Sequence, residues 1–170
     1  PALRQQLETE LKAISPMLQA GMFDRLKPWA LATQLVMLPM QLKHPGEPAL
    51  DIQLAQRAEQ DGKLTRGLEQ LQEQLDVFER LSKDEQLALL RDTMDGLAKA
   101  RKQGKDVIEL LTQSYISGDD AAVVALLEEF EGGNTALNDK LERALLFDRN
   151  QRMADRLSSQ FKAEANQQFF

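Results

Sequence analysis

The sequence predicts a mainly α protein: a multi-helix bundle with one short strand, at about residues 63–68, that is left from, or completes, an α/β core. Three observations predict it. Apolar residues recur at spacings of three and four along most of the chain, as in helices that bury one face. Prolines, glycines and capping residues punctuate those runs where helices start and stop. Only Lys63-Leu64-Thr65-Arg66-Gly67-Leu68 alternates with a period of two, as a half-buried strand does. At 170 residues the chain fits a single helical domain or fragment spanning 1–170, large enough to bury roughly 70% of the surface its unfolded form exposes.

Leu3, Leu7, Leu11, Ile14 and Leu18 form one stripe and set the first helix, which Gly21 interrupts. Pro28 suits the first turn of a second helix. The dense run from Trp29 through Leu38 predicts that this helix is mostly buried, with Trp29, Met37 and Met40 as core or groove residues. The run contains Gln34 and meets Pro39 well short of the roughly 20 apolar residues a bilayer crossing needs, so no membrane span is expected. Residues 43–48, Lys43-His44-Pro45-Gly46-Glu47-Pro48, must be a loop. A short helix over Leu50 to Gln60 then stops at Asp61-Gly62, where glycine accepts a left-handed conformation.

After the strand and site edge at 63–69, residues 70–166 read as a helical array. Leu71, Leu75 and Phe78 open it, and the capping box Ser82-Lys83-Asp84-Glu85 precedes Leu87, Leu90, Met94 and Leu97. Val107, Leu110, Leu111 and Tyr115 form the next helix, which Gly118 ends, and Asp119 or Asp120 caps the one that runs to Phe130. Gly132-Gly133-Asn134 closes that helix. A long last helix carries Leu137, Leu141, Leu145, Met153, Leu157 and Phe161 on one stripe to about Ala165.

Two features demand partners. A lone strand leaves backbone donors and acceptors unpaired. The chain also finishes on Phe169-Phe170, where termini are more often polar. Either a second copy, as in a homodimer, or missing parent segments are therefore expected to complete the sheet. Opening on Pro1, with no signal-peptide pattern, the sequence reads as an excised segment or a processed chain.

Composition excludes much chemistry. There is no cysteine, so thiolate zinc sites and cysteine nucleophiles are absent. The one histidine, His44, cannot make a histidine metal triad, a Ser-His-Asp triad or an H-E-x-x-H helix, and its proline-rich setting marks it as a surface residue. A net charge of −6 with scattered Lys and Arg argues against nucleic acid, Arg101, Lys102 and Lys105 reading as a solvated turn. Lys27 and Lys43 bracket the apolar second helix, but the overall acidity disfavours a membrane-surface role.

The candidate site is Gly67-Leu68-Glu69, where the strand gives way to a helix, with Glu73 and Gln74 one turn on. Ligands favour such strand ends, a glycine admits close approach, and a carboxylate can ligate metal or act as a general base. The alternative is that Glu69 favours the helix N-terminus and Gln74 is a surface residue. Arg149 and Asn150 interrupt the last helix's apolar stripe, for ligand contact, for a buried network, or with Arg149 simply pairing with Asp148 or Asp155.

The blocks Asp51 to Ala58, Gly62-Lys63, Gly67-Leu68-Glu69, Glu73-Gln74-Leu75, then Phe78 and Leu81, resemble the central region of the TraB/GumN family, which includes the Tiki proteins. Lys27-Pro28-Trp29-Ala30 and Asp148-Arg149-Asn150 with Met153-Ala154 fit the same pattern in family order. The resemblance implies a metal-dependent peptidase or hydrolase whose site joins two G-x-x-H motifs to a glutamate, which Glu69 matches. Neither G-x-x-H occurs here; the resemblance expects one before Pro1 and one after Phe170. It thus implies a divalent metal in the parent, with Glu69 as catalytic residue and as ligand beside histidines outside this chain, and none in this chain alone. Gly67, Glu73, Gln74, Arg149 and Asn150 would support the site, and the parent would be periplasmic or extracytoplasmic. The competing expectation is a helical interaction or dimerisation module that docks through the Trp29 to Met40 helix.

Overall fold

The computed structural model describes residues 2–46, 48–130 and 132–163. Helices α1 (Ala2–Ile14), α2 (Pro28–Lys43), α3 (Leu50–Gln60), α4 (Leu71–Glu79), α5 (Lys83–Lys102), α6 (Val107–Ser117), α7 (Asp120–Phe130), α8 (Thr135–Glu142) and α9 (Asp148–Ala163) follow in order. A 3₁₀ turn, Ala20–Phe23, lies between α1 and α2, and a π-helical turn, Arg143–Phe147, lies between α8 and α9. The mainly α reading holds, and there is no strand among the described residues. Residues 63–67 are irregular and exposed, with Leu64 at 77%. Alternation there does not make the expected short strand, because no segment among the described residues pairs with it in a ladder. The apolar chain end, Phe169-Phe170, lies outside the described residues.

Two compact units divide the chain, Pro1–Pro45 with Leu81–Asn138 and Gly46–Arg80 with Asp139–Phe170. In the first, Leu7 and Leu11 of α1, Ala20 of the 3₁₀ turn, Leu31, Ala32 and Leu35 of α2, and Leu90 and Met94 of α5 form one buried cluster. The apolar stripes of α1 and α2 both close on α5, with α2 making the more extensive contact. The face of α2 that carries Leu31, Ala32 and Leu35 is therefore covered within the first unit. The rest of α2 is less buried than its composition suggests, and Met37 is 47% exposed. The helix also continues through Pro39 to Lys43, although the ring removes one donor from the ladder. Leu31, Ala32 and Leu35 are buried upstream of that gap, so packing secures the helix there. No helix among the described residues is long and apolar enough to cross a membrane.

The predicted punctuation is mostly found. Gly62 and Gly118 take φ values of 68° and 71°, ending α3 and α6 as glycine does readily. Asp119 caps α7, its Oδ1 accepting from the Ala122 N–H at 3.0 Å. At α5, Ser82 Oγ accepts from the Glu85 N–H at 3.2 Å while Glu85 Oε2 accepts from the Ser82 N–H at 2.7 Å. Ser82→Ala is expected to cost about 1 kcal/mol, read as a lower urea midpoint at unchanged slope. The last helix is the exception. The π turn adds a residue to its winding just before Asp148, where an unbroken stripe was expected.

Candidate functional site

The second unit holds the predicted site residues. Gly67 lies in the irregular segment before α4, and a Cβ there would fall 3.0 Å from the carbonyl oxygen of Glu69. That close approach excludes a larger residue without a backbone shift. The Glu69 side chain is only 5% exposed. Oε2 of Glu69 accepts from Arg149 Nε at 2.6 Å and from Gln74 Nε2 at 3.1 Å. Oε1 is buried and receives no donor.

Arg149 comes from the first turn of α9 and reaches Glu69 from 80 residues away in sequence. This corrects the pairing expected from sequence. Asp148 instead faces Arg143 at 3.7 Å and Asp155 accepts from Gln151 at 2.9 Å. Neighbours in sequence point to different sides of a helix, whereas position 149 lies on the stripe of Leu145 and Met153. Asn150, one step off that stripe, is exposed and outside this set of contacts.

Glu73 makes the second half of the site. Both its oxygens face the Arg156 guanidinium, with Nη1 donating to Oε2 at 2.7 Å and Nη2 to Oε1 at 2.5 Å. Oε2 also accepts from the Gln70 N–H at 2.8 Å, so Glu73, not Glu69, secures the start of α4. Arg156 Nη1 donates further to the carbonyl of Leu68 at 2.8 Å. Sequence reasoning missed Arg156. The signal was available, since it stands seven residues after Arg149 on the same helix face.

The fork from Arg156, then the Gln70 N–H, hold the Glu73 carboxyl well below its ordinary 4.5, at about 2. A carboxylate with a depressed value in the folded state adds stability that is complete above about pH 4.5 and is lost as pH falls through about 2. A carbonyl-carbon NMR titration should therefore place the Glu73 midpoint near 2, and a midpoint near 4.5 would mean that the fork is open in solution.

The first unit has a different feature, an open, mostly apolar groove of about 770 Å³ lined in part by Ile14, Val36, Leu97 and Phe130. Several of its charged walls pair with each other, while the buried Oδ2 of Asp92 has no hydrogen-bond partner. Arg101 forks onto the buried Glu10 at 2.5 and 2.9 Å, and Lys43 donates to Asp106 at 2.5 Å. None of the sequence-predicted site residues lies there. His44, at the C-cap of α2, is exposed.

The residues around Glu69 fit a divalent cation as one ligand of several. Oε1 is buried and accepts no hydrogen bond, yet no group of three or more His, Cys, Asp or Glu able to hold a metal exists among the described residues. The second unit thus offers the buried Glu69 carboxylate held by Arg149, beside Glu73 forked by Arg156.

Residues 1–170 match the TraB/PrgY/gumN family, and the chain belongs to that family. It is similar to the metalloprotease TIKI2 of Danio rerio, 28% identical over 169 residues that cover 89% of this chain and 33% of that protein. The metalloprotease TIKI2 of Xenopus tropicalis is 26% identical over 169 residues, covering 89% of this chain and 32% of the relative. The chain spans about a third of the length of these relatives. No solved structure matches it.

Proposed function

We propose that this chain is the helical part of a TraB-family metal-dependent hydrolase or peptidase, and that Glu69 supplies one oxygen of its metal site. The observation that carries the reading is the state of Glu69. Its Oε2 is fixed by Arg149 and Gln74 while its buried Oε1 has no donor. A purely structural carboxylate at that depth would be expected to satisfy both oxygens. Kinship with proteins named as metalloproteases supports a hydrolytic role.

The two arginines set what this chain contributes. Arg149 holds Oε2 with a charge-assisted hydrogen bond and leaves Oε1 without a donor. Gln74 donates from the first turn of α4 to the same oxygen and narrows the rotation of the side chain. A divalent cation, when bound with histidines outside this chain, would polarise a carbonyl and activate water. The parent is proposed to act outside the cytoplasm.

The isolated 170-residue chain is therefore expected to bind Co²⁺ or Zn²⁺ no tighter than about 1 mM, because a single carboxylate oxygen is far short of the three or four ligands such sites use. Isothermal titration decides it. Stoichiometric micromolar binding would overturn the claim that the remaining ligands lie outside.

A further inference from the structure

We infer that Arg156 is a positioning residue for Glu69, holding the backbone on both sides of it from a single guanidinium. This rests on the assignment of Glu69 to the site.

On the N-terminal side, Arg156 Nη1 donates directly to the Leu68 carbonyl at 2.8 Å. On the C-terminal side it acts through Glu73, whose two oxygens it grips and whose Oε2 accepts from the Gln70 N–H at 2.8 Å. Leu68 and Gln70 are the two neighbours of Glu69 in the chain. Leu68 lies in the irregular stretch before α4, and Gln70 is the N-cap of that helix, its carbonyl accepting from the Glu73 N–H at 3.0 Å. The guanidinium thus ties the irregular Leu68 backbone to the helix start that Glu73 caps.

Arg149 and Arg156 divide the work. Arg149 orients the carboxylate, and Arg156, seven residues on, orients the backbone that carries it. Both project from α9, so one rigid helix sets the position of Oε1. The task needs the flat fork of arginine. A lysine at 156 keeps the charge, but its point-like ammonium cannot span both Glu73 oxygens and the Leu68 carbonyl in one plane. Such supporting contacts affect metal sites through geometry, and their loss typically costs about 10- to 100-fold in affinity.

The test uses full-length protein with Co²⁺ as the probe, reading both affinity and the visible absorption band that reports ligand geometry. Arg156→Ala is expected to keep its helicity, to bind Co²⁺ about 10- to 100-fold more weakly and to shift the band. Arg156→Lys should stay impaired. Wild-type affinity and band in Arg156→Ala, or complete restoration by Arg156→Lys, would overturn the proposal. Should Arg156→Ala fail to fold, Glu73→Gln loosens the same grip at unchanged size and is expected to shift the band in the same direction; an unchanged band there counts against it equally.

Glu69→Gln serves as the control. If that variant binds Co²⁺ like wild type, the reading of Glu69 fails, and amide exchange at Gln70 then judges Arg156 alone. Exchange about tenfold faster in Arg156→Ala upholds the clamp, and unchanged exchange removes it.

Discussion

The Glu69→Gln variant of the full-length protein is expected, on the proposed reading, to lose divalent-cation affinity by more than about 100-fold. Loss of an outer partner alone costs about 10- to 100-fold, so loss of the anionic ligand itself should exceed that. Glutamine preserves the shape of the side chain but not its charge, and its amide oxygen is a weaker donor to a hard or borderline cation. The fold should persist. Arg149 would be left without its partner, but it is a third exposed and can regain water. Circular dichroism therefore separates the two effects, with helicity retained and affinity gone. Full affinity in Glu69→Gln would take Glu69 out of the site altogether.

Arg149→Ala should do the reverse, striking stability first. It strands a carboxylate that is 5% exposed with only the Gln74 amide for company. Breaking a buried pair from one side costs about 3–5 kcal/mol, and the partial exposure of Arg149 places this case near the lower end. Urea unfolding monitored by amide signals of α4 and α9 reads it directly. The double variant Glu69→Leu with Arg149→Met is expected to recover most of the loss, because apolar side chains of similar volume often replace a buried pair at little cost. A loss under about 1 kcal/mol in Arg149→Ala would be that of a surface pair, and would mean that Glu69 is wet in solution.

Much of the fold was legible because helices announce themselves locally. The α3 range, the Ser82 box and the Gly118 stop all follow from side chains within one turn of the feature they specify. The segment at 63–68 misled for the complementary reason. Alternation is a local pattern, but a strand is a pairwise object, and no pairing partner is present among the described residues. The candidate site divides the same way. Glu69, Gln74 and Gly67 lie within eight residues and were singled out together. Arg149 was named with them but matched to Asp148 or Asp155, and Arg156 was not named, because the partner each takes depends on which way α9 faces. The π turn just before Asp148 is set by packing and has no simple residue signature.

The second unit is discontinuous in sequence, built from Gly46–Arg80 and from Asp139 onward, with Leu81–Asn138 between. On the ribosome this imposes an order of events. Glu69 emerges 80 residues ahead of Arg149, an interval of about 4–16 s at about 5–20 residues per second. Throughout it the carboxylate lacks Arg149 and the Leu68–Gln70 backbone lacks its clamp, whereas the α1, α2 and α5 segments of the first unit are all out before Arg149. A nascent chain stalled before residue 149 would consequently carry an exposed, protease-sensitive stretch around Glu69, which is held only once α9 has emerged.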